Sequence, residues 1–218
     1  ALAQWEGPNI YEREIWFEDR SGLMDPDKDL EGVDIFMVTA LINEAPRGYE
    51  IARLAKQFHP EIITIGGGPQ MSPMAEEAFN YGDFDVIVQR EGEDIIGQLS
   101  DVLLEHRGAD RDRYLAKIPG ISYRKDGGIV VTNRQGLVAP DFVELPDFRS
   151  IKDLNSDNPM VGAVIETIRG CTESCTYCQV IQQFRVRGTF PTFPEVTRRT
   201  HNPESKMPDK QKTMKHPT

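Results

Sequence analysis

Three short apolar runs, separated by stretches of helical periodicity, constrain this chain more than any other feature. They read Asp34-Ile-Phe-Met-Val-Thr-Ala40, Glu61-Ile-Ile-Thr-Ile65 and Phe84-Asp-Val-Ile-Val88. Runs of this length, rich in β-branched residues, are expected to be buried strands. Between the first two, Ile51, Leu54, Ala55 and Phe58 fall at i, i+3, i+4 and i+7, which predicts a helix over Pro46–Phe58 with those four residues inward. A short helix around Met74–Tyr81 follows the second run, and Ile95, Leu99, Val102 and Leu103 mark another after the third. Strand starts at 34, 61 and 84 leave room for one crossover helix each, so the fold class is α/β with a parallel sheet. Glu14–Glu18 is read as an earlier strand.

After Gly108 the pattern changes. Gly120–Lys125 and Gly128–Asn133 flank Asp126-Gly127, a hairpin signal. Residues 136–160 hold three prolines among scattered acids and read as a linker. A last strand-like run, Met160–Ile168, leads into Arg169-Gly170-Cys171. From Thr189 onward there is no Ile or Leu, and such a composition cannot bury enough surface to fold alone. The expected organisation is therefore an α/β unit over 1–108, a hairpin and linker over 109–160, the opening of a second domain over 161–188, and a disordered tail over 189–218.

The formal charge is −10, with +3 in residues 189–218 and −13 in the first 188. An acidic folded part argues against a nucleic-acid partner. No apolar run approaches the length of a membrane span, and no signal-peptide pattern opens the chain, so the expected location is the cytoplasm.

The cysteines carry the chemistry. There are three, Cys171, Cys175 and Cys178, in a C-x3-C-x2-C spacing within eight residues. An odd, clustered set is no disulfide framework. Three thiolates on one loop suit three irons of a four-iron cluster, leaving the fourth iron open for substrate chemistry. The alternatives are a zinc site completed by one of His59, His106, His201 or His216, and three unrelated buried cysteines. A second candidate site lies where the parallel strands end. Ligands of open α/β sheets sit at the carboxyl ends of the strands. Those ends carry Thr39-Ala40, Gly66-Gly67-Gly68 and Arg90-Glu91-Gly92-Glu93. Glycines there let the backbone approach a bulky ligand. On the plainer reading they only turn the chain, Thr39 is an ordinary strand-end hydroxyl, and Glu91 and Glu93 favour the N-terminus of a helix starting near Asp94.

The cysteine loop, preceded by a strand and Arg169-Gly170 and carrying Tyr177 before its third cysteine, resembles the radical S-adenosylmethionine (SAM) enzymes. That resemblance implies a [4Fe–4S] cluster on Cys171, Cys175 and Cys178, SAM chelated at the open iron, and Tyr177 near its adenine. It also implies an external electron donor, whose electron splits SAM into methionine and a 5′-deoxyadenosyl radical. The upstream Gly-Gly-Pro loop, Arg90-Glu91-Gly92-Glu93 and Ile118-Pro-Gly-Ile-Ser-Tyr123 with its hairpin resemble the subclass with an N-terminal cobalamin-binding domain. The implied architecture is a Rossmann-like, flavodoxin-like parallel sheet, a hairpin and linker, and the start of a partial (β/α) barrel. Cobalamin would then contact Thr39, Ala40, Gly66, Gly67, Gly68, Glu91, Gly92 and Glu93.

Two departures stand out. No Asp-x-His-x-x-Gly loop is present, so cobalt would bind without a protein imidazole, and the position often held by His after Gly-Gly-Pro is Gln70. A barrel of six strand–helix units needs roughly 190 residues, scaled from the eight-unit barrel, yet only 40 follow Cys178. The first, central strand of a flavodoxin-like sheet is also expected upstream of Ala1. The chain therefore reads as a fragment of a cobalamin-dependent radical SAM enzyme, with methyl transfer one possible chemistry and the substrate unread. The competing reading is a non-catalytic cobalamin-binding module with a vestigial cluster or zinc loop.

Overall fold

The computed structural model describes residues 5–133, with Leu2, Val138, Ile151, Lys152 and Cys178 besides. Two short helical turns, α1 (Glu18–Ser21) and α2 (Pro26–Asp29), precede the sheet. Then come β1 (Ile35–Thr39), α3 (Ala45–Phe58), β2 (Ile63–Gly67), the turn α4 (Gly68–Met71), α5 (Ala75–Tyr81) and β3 (Val86–Val88). The chain continues with α6 (Ile96–Glu105), α7 (Arg111–Leu115) and the hairpin β4 (Ile121–Lys125) and β5 (Gly128–Val131). The five strands form one sheet in the order β1-β2-β3-β4-β5.

The sheet is mixed rather than wholly parallel. Ile35–Thr39 runs parallel to Ile63–Gly67, and Ile65 and Gly66 pair with Val86 and Ile87. Strand β4 then joins β3 antiparallel, with Ile87 opposite Ser122. The hairpin therefore extends the sheet. Its turn places Asp126 at φ 50° and Gly127 at φ 77°, the doubly positive conformation that an Asp-Gly pair adopts cheaply. Glu14–Glu18 is not a strand: Ile15 makes a single bridge to Ile151, and α1 begins at Glu18.

Apolar side chains cover the sheet from two sides. On one, Phe36 and Val38 pack with Ala45, Tyr49, Ala52 and Ala55 of α3, and with Met71, Ala78 and Phe79. On the other, Ile63, Ile65, Val86 and Val88 pack with Leu99 and Leu103 of α6, and with Leu115 and Ile118. Coverage on both faces explains why β2 is buried through its first four residues and β3 throughout.

The inward face of α3 is only partly the one its periodicity announces: Ala55 is buried and Ile51 packs against the core, but the face is centred elsewhere. Ala45, Gly48, Tyr49, Ala52 and Ala55 are buried, whereas Phe58 is 43% exposed. Small residues win because the helix lies close to the sheet. A Cβ on Gly48 would sit 3.0 Å from Met71 Cε and 3.2 Å from Val38 Cγ1.

Polar contacts fix the ends of this assembly. At the amino end of β3, Asp85 takes Lys56 Nζ at 2.6 Å, Arg111 Nη1 at 3.0 Å and the Thr64 amide at 2.9 Å. Burial works to raise its pKa, but Lys56, the Thr64 amide and Arg111 together hold it below the usual carboxylate range. Arg47 Nη2 binds Glu18 Oε1 at 2.8 Å, tying α1 to α3.

Candidate functional site

The parallel strands deliver their carboxyl ends to one edge of the sheet, where three segments meet. Strand β1 ends at exposed Thr39 and buried Ala40, whose carbonyl accepts from the Gln70 amide at 3.4 Å. Strand β2 ends at Gly66-Gly67, and Gly68 opens α4. Strand β3 gives way to Gln89–Glu93 before α6.

The three glycines do different jobs. A Cβ on Gly66 would lie 2.5 Å from Ile87 Cδ1 and 3.0 Å from Met71 Sδ, so this position is fixed by core packing. Gly68 has φ +81°, and its Cβ would collide with Thr39 Oγ1, so both conformation and space demand glycine. Gly67 is different. Its backbone is extended at φ −171°, and an added Cβ would meet Val88 at an ordinary 3.7 Å. Nothing among the described residues requires a glycine there.

The loop after β3 is pinned on both sides. The Gln89 amide donates to Gly120 O at 2.8 Å, and Gln89 Nε2 donates to Ser122 Oγ at 2.8 Å, both from the hairpin. Across the loop, the Arg90 amide donates to Ser72 Oγ at 2.5 Å. That bond holds Arg90 at φ 63°, a left-handed conformation that side chains with a Cβ seldom adopt. Ser72 escapes sequence reasoning, since no local pattern links it to a residue 18 positions away.

Of the two acids assigned to the site, Glu91 is buried, and its Oε2 accepts from the Val138 amide at 2.9 Å. Gly92 and Glu93 are half-buried. Gly92 O accepts from the Ile95 and Ile96 amides at 3.1 and 2.9 Å, starting α6. Gln70 turns inward: it is buried, and its Nε2 donates to Glu77 Oε1 at 3.3 Å. The Tyr49 hydroxyl donates to the same oxygen at 3.0 Å. Burial, then the Glu77 carboxylate, push the Tyr49 hydroxyl up to about 12. Leu41 and Ile42, just beyond β1, are 51% and 67% exposed and offer apolar surface at this end of the sheet.

Of the cysteine loop, Cys178 is described, as a half-buried free thiol. Cys171, Cys175 and Tyr177 lie outside the described residues, as do His201 and His216. The two described histidines are engaged elsewhere. His59 Nε2 lies 3.0 Å from Pro26 O and 3.1 Å from Asp27 O, so it carries the proton. The His106 ring stacks on Tyr114 with centroids 3.5 Å apart. Among the described residues no three His, Cys, Asp or Glu side chains group to hold a metal, and no helix is long and apolar enough to cross a membrane.

No family model matches the chain. It is 28% identical over 169 residues to the 2-(S-pantetheinyl)-carbapenam-3-carboxylate methyltransferase of Streptantibioticus cattleyicolor, covering 74% of this chain and 23% of that one. It is 26% identical over 159 residues to the cobalamin-dependent radical SAM methyltransferase TokK of Streptomyces tokunonensis, covering 66% and 22%. The curated relatives of this chain include methyltransferases, one of them dependent on cobalamin and of the radical SAM type. The chain spans about a quarter of the length of these two relatives. A solved structure of the radical SAM methyltransferase TsrM from Kitasatospora setae is 21% identical, with a TM-score of 0.38 over 46% of this chain and 19% of that one. No fold assignment follows from so slight a likeness.

Proposed function

We propose that the chain is the cofactor-binding part of a cobalamin-dependent radical SAM methyltransferase. Cys171, Cys175 and Cys178 hold a [4Fe–4S] cluster, Tyr177 borders SAM, and an external donor supplies the electron. Cobalamin rests on the carboxyl ends of β1, β2 and β3. The observation that carries this reading is the C-x3-C-x2-C triplet with no fourth cysteine in the chain. Identity to a cobalamin-dependent radical SAM methyltransferase over 159 residues supports it.

The strand ends suit a large, flat ligand. Gly67 leaves its backbone open to contact, Thr39 offers an exposed hydroxyl, and the pinned loop from Gln89 to Glu93 presents Gly92 and Glu93. Ala40, Gly66 and Glu91 are buried and act from behind, by shaping that edge. Gln70 is committed to Glu77, which agrees with cobalamin held without a side-chain ligand from that position. When bound, the cluster and SAM supply one-electron cleavage and cobalamin supplies methyl transfer. The described residues bind and orient.

The test is anaerobic reconstitution with iron and sulfide, followed by metal analysis and equilibrium dialysis against hydroxocobalamin. The expected result is about four irons per chain, lost in Cys175→Ala, and saturable cobalamin binding. Zinc retained in place of iron, or iron unchanged in Cys175→Ala, overturns the cluster assignment. Cobalamin bound without SAM cleavage after reduction would leave a binding module rather than an enzyme.

A further inference from the structure

The four-residue turn α4 touches all three strand ends at the candidate site. Gly68 passes so close to Thr39 that an added Cβ would collide with its hydroxyl, and the Gln70 amide donates to Ala40 O at 3.4 Å. The turn therefore meets the end of β1 twice. It continues directly from Gly67 of β2, and Ser72, which closes it, accepts from the Arg90 amide beyond β3. Whatever holds α4 shapes the edge where a ligand would lie. A single helical turn does not hold itself, because fixing its backbone costs more than its first hydrogen bond offsets.

Two residues of the turn reach into the protein. Met71 is fully buried and anchors it by apolar packing. Gln70 is buried as well, and its Nε2 donates to Glu77 Oε1 of α5 at 3.3 Å. The same oxygen accepts from the Tyr49 hydroxyl of α3 at 3.0 Å. Tyr49 is itself fixed: its ring stacks on Tyr81 with centroids 6.3 Å apart and meets Phe84 edge-on at 6.5 Å. Glu77 Oε1 is thus where α3, α4 and α5 meet through polar groups. Packing of Met71 fixes the depth of the turn, whereas a hydrogen bond also fixes its direction, and a carboxylate is the stronger acceptor.

The plainer account of Glu77 is that it lies in the first turn of α5 beside Glu76, where either acid favours the helix N-terminus. Two side-chain donors on one half-buried carboxylate set Glu77 apart from exposed Glu76. We propose that Glu77 is a positioning residue for the strand-end site: acting through Gln70, it holds α4 in the place that spaces Thr39, Gly67 and the loop after β3. The ligand named in the test rests on the cobalamin reading; the placing of α4 does not.

Hydrogen exchange of the full chain, with equilibrium dialysis against hydroxocobalamin, tests it. In Glu77→Ala the Gln70 and Ser72 amides, bonded to Ala40 O and Gly68 O, are expected to exchange about tenfold faster, the scale of one lost hydrogen bond. The β2 amides are expected to stay protected, and cobalamin to bind about tenfold more weakly. Glu77→Gln keeps an acceptor oxygen without the charge and is expected to restore both readouts. Glu76→Ala, which removes the neighbouring first-turn acid, is the control and is expected to change neither. Should Glu77→Ala fail to fold, Gln70→Met removes the donor at similar size and makes the same test. Exchange at Gln70 and Ser72 unchanged in Glu77→Ala overturns the proposal, as does a loosened turn that binds cobalamin like the wild type. Glu77→Gln as impaired as Glu77→Ala would reduce Glu77 to a charge at a helix end, and overturns it too. A wild type that takes up no cobalamin sinks the cofactor reading instead, and the exchange rates alone then decide whether Glu77 holds α4.

Discussion

Replacing Gly66, Gly67 and Gly68 one at a time by alanine separates the glycines that the fold requires from Gly67, which is proposed to contact cobalamin. At Gly68 the methyl must enter a backbone at φ +81°, costing about 1–2 kcal/mol for a left-handed residue. Thr39 must also rotate off its rotamer to clear it, adding about 1 kcal/mol. At Gly66 the methyl overpacks Ile87 and Met71, a change that costs about 1–3 kcal/mol. At Gly67 it meets only Val88 at 3.7 Å in an extended backbone. There the substitution gains roughly 0.4–1 kcal/mol by restricting the unfolded chain. With a urea slope of about 2 kcal/mol per molar, Gly68→Ala should lower the denaturation midpoint by about 1 M. Gly66→Ala should fall similarly, while Gly67→Ala should rise by a few tenths. Circular dichroism in urea reads these shifts, and equilibrium dialysis reads hydroxocobalamin. Gly67→Ala should weaken that binding by about tenfold, a loss of about 1.4 kcal/mol, despite its greater stability. The reasoning is refuted if Gly67→Ala proves as unstable as Gly68→Ala, or if it is stable and binds cobalamin like the wild type.

Two further substitutions probe groups away from the strand ends. Asp101 of α6 accepts from Trp5 Nε1 at 2.7 Å, Asn9 Nδ2 at 2.8 Å and Tyr11 Oη at 2.5 Å, clasping the amino-terminal segment, while Trp5 packs against Gly97. Asp101→Ala should release that segment at a cost of about 2 kcal/mol, the scale of a hydrogen bond to a charged group; a Trp5 emission that fails to shift to the red, read in a Trp16→Phe background, contradicts this. Burial works to raise Asp101, but Tyr11, Asn9 and Trp5 hold it below its ordinary value, so the clasp is present above about pH 4 and is lost as pH falls through the lowered value. Tyr49 has the opposite sign. Its hydroxyl is pushed up to about 12, so the stability held by its neutral form is complete below about pH 10 and is lost on the way to pH 12. Burial and the Asp101 carboxylate raise Tyr11 as well, so absorbance titration in a Tyr11→Phe background should show one late tyrosine that moves down in Glu77→Gln, and an unchanged titration in that variant would remove the carboxylate as a cause.

The parallel strands were legible because burial on both faces forces continuous apolar runs, which a sequence displays directly. The hairpin was legible for a different reason: Asp126-Gly127 is chosen by backbone conformation, a local constraint. The face of α3 was legible only in part. Periodicity rewards large apolar residues, so it selected Ile51, Leu54 and Phe58 along with Ala55, while close approach to the sheet centred the buried face on Gly48, Ala52 and Ala55. Glu91 shows the limit of local reading at the site. A carboxylate ahead of a helix looks like a dipole partner, yet its oxygen is used by a backbone amide 47 residues away. The cysteine triplet is read wholly from spacing, and Cys171 and Cys175 lie outside the described residues.

The antiparallel hairpin gives the candidate site its rigidity. In a sheet ending at β3, the loop from Gln89 to Glu93 would hang from a three-residue edge strand. Strand β4 runs the other way, so its start lies beside the end of β3, and Gly120 and Ser122 are in place to hold Gln89. Ser72 grips the next residue from the β2 side and fixes Arg90 in a conformation it would not choose alone. Ser72→Ala therefore separates two accounts of that loop. If the hydroxyl maintains the left-handed turn, its loss should raise hydrogen exchange at Arg90–Glu93 and weaken cobalamin binding, while β2 and β3 amides stay protected. If the hairpin alone sets the loop, exchange there will match the wild type, and the role given to Ser72 fails.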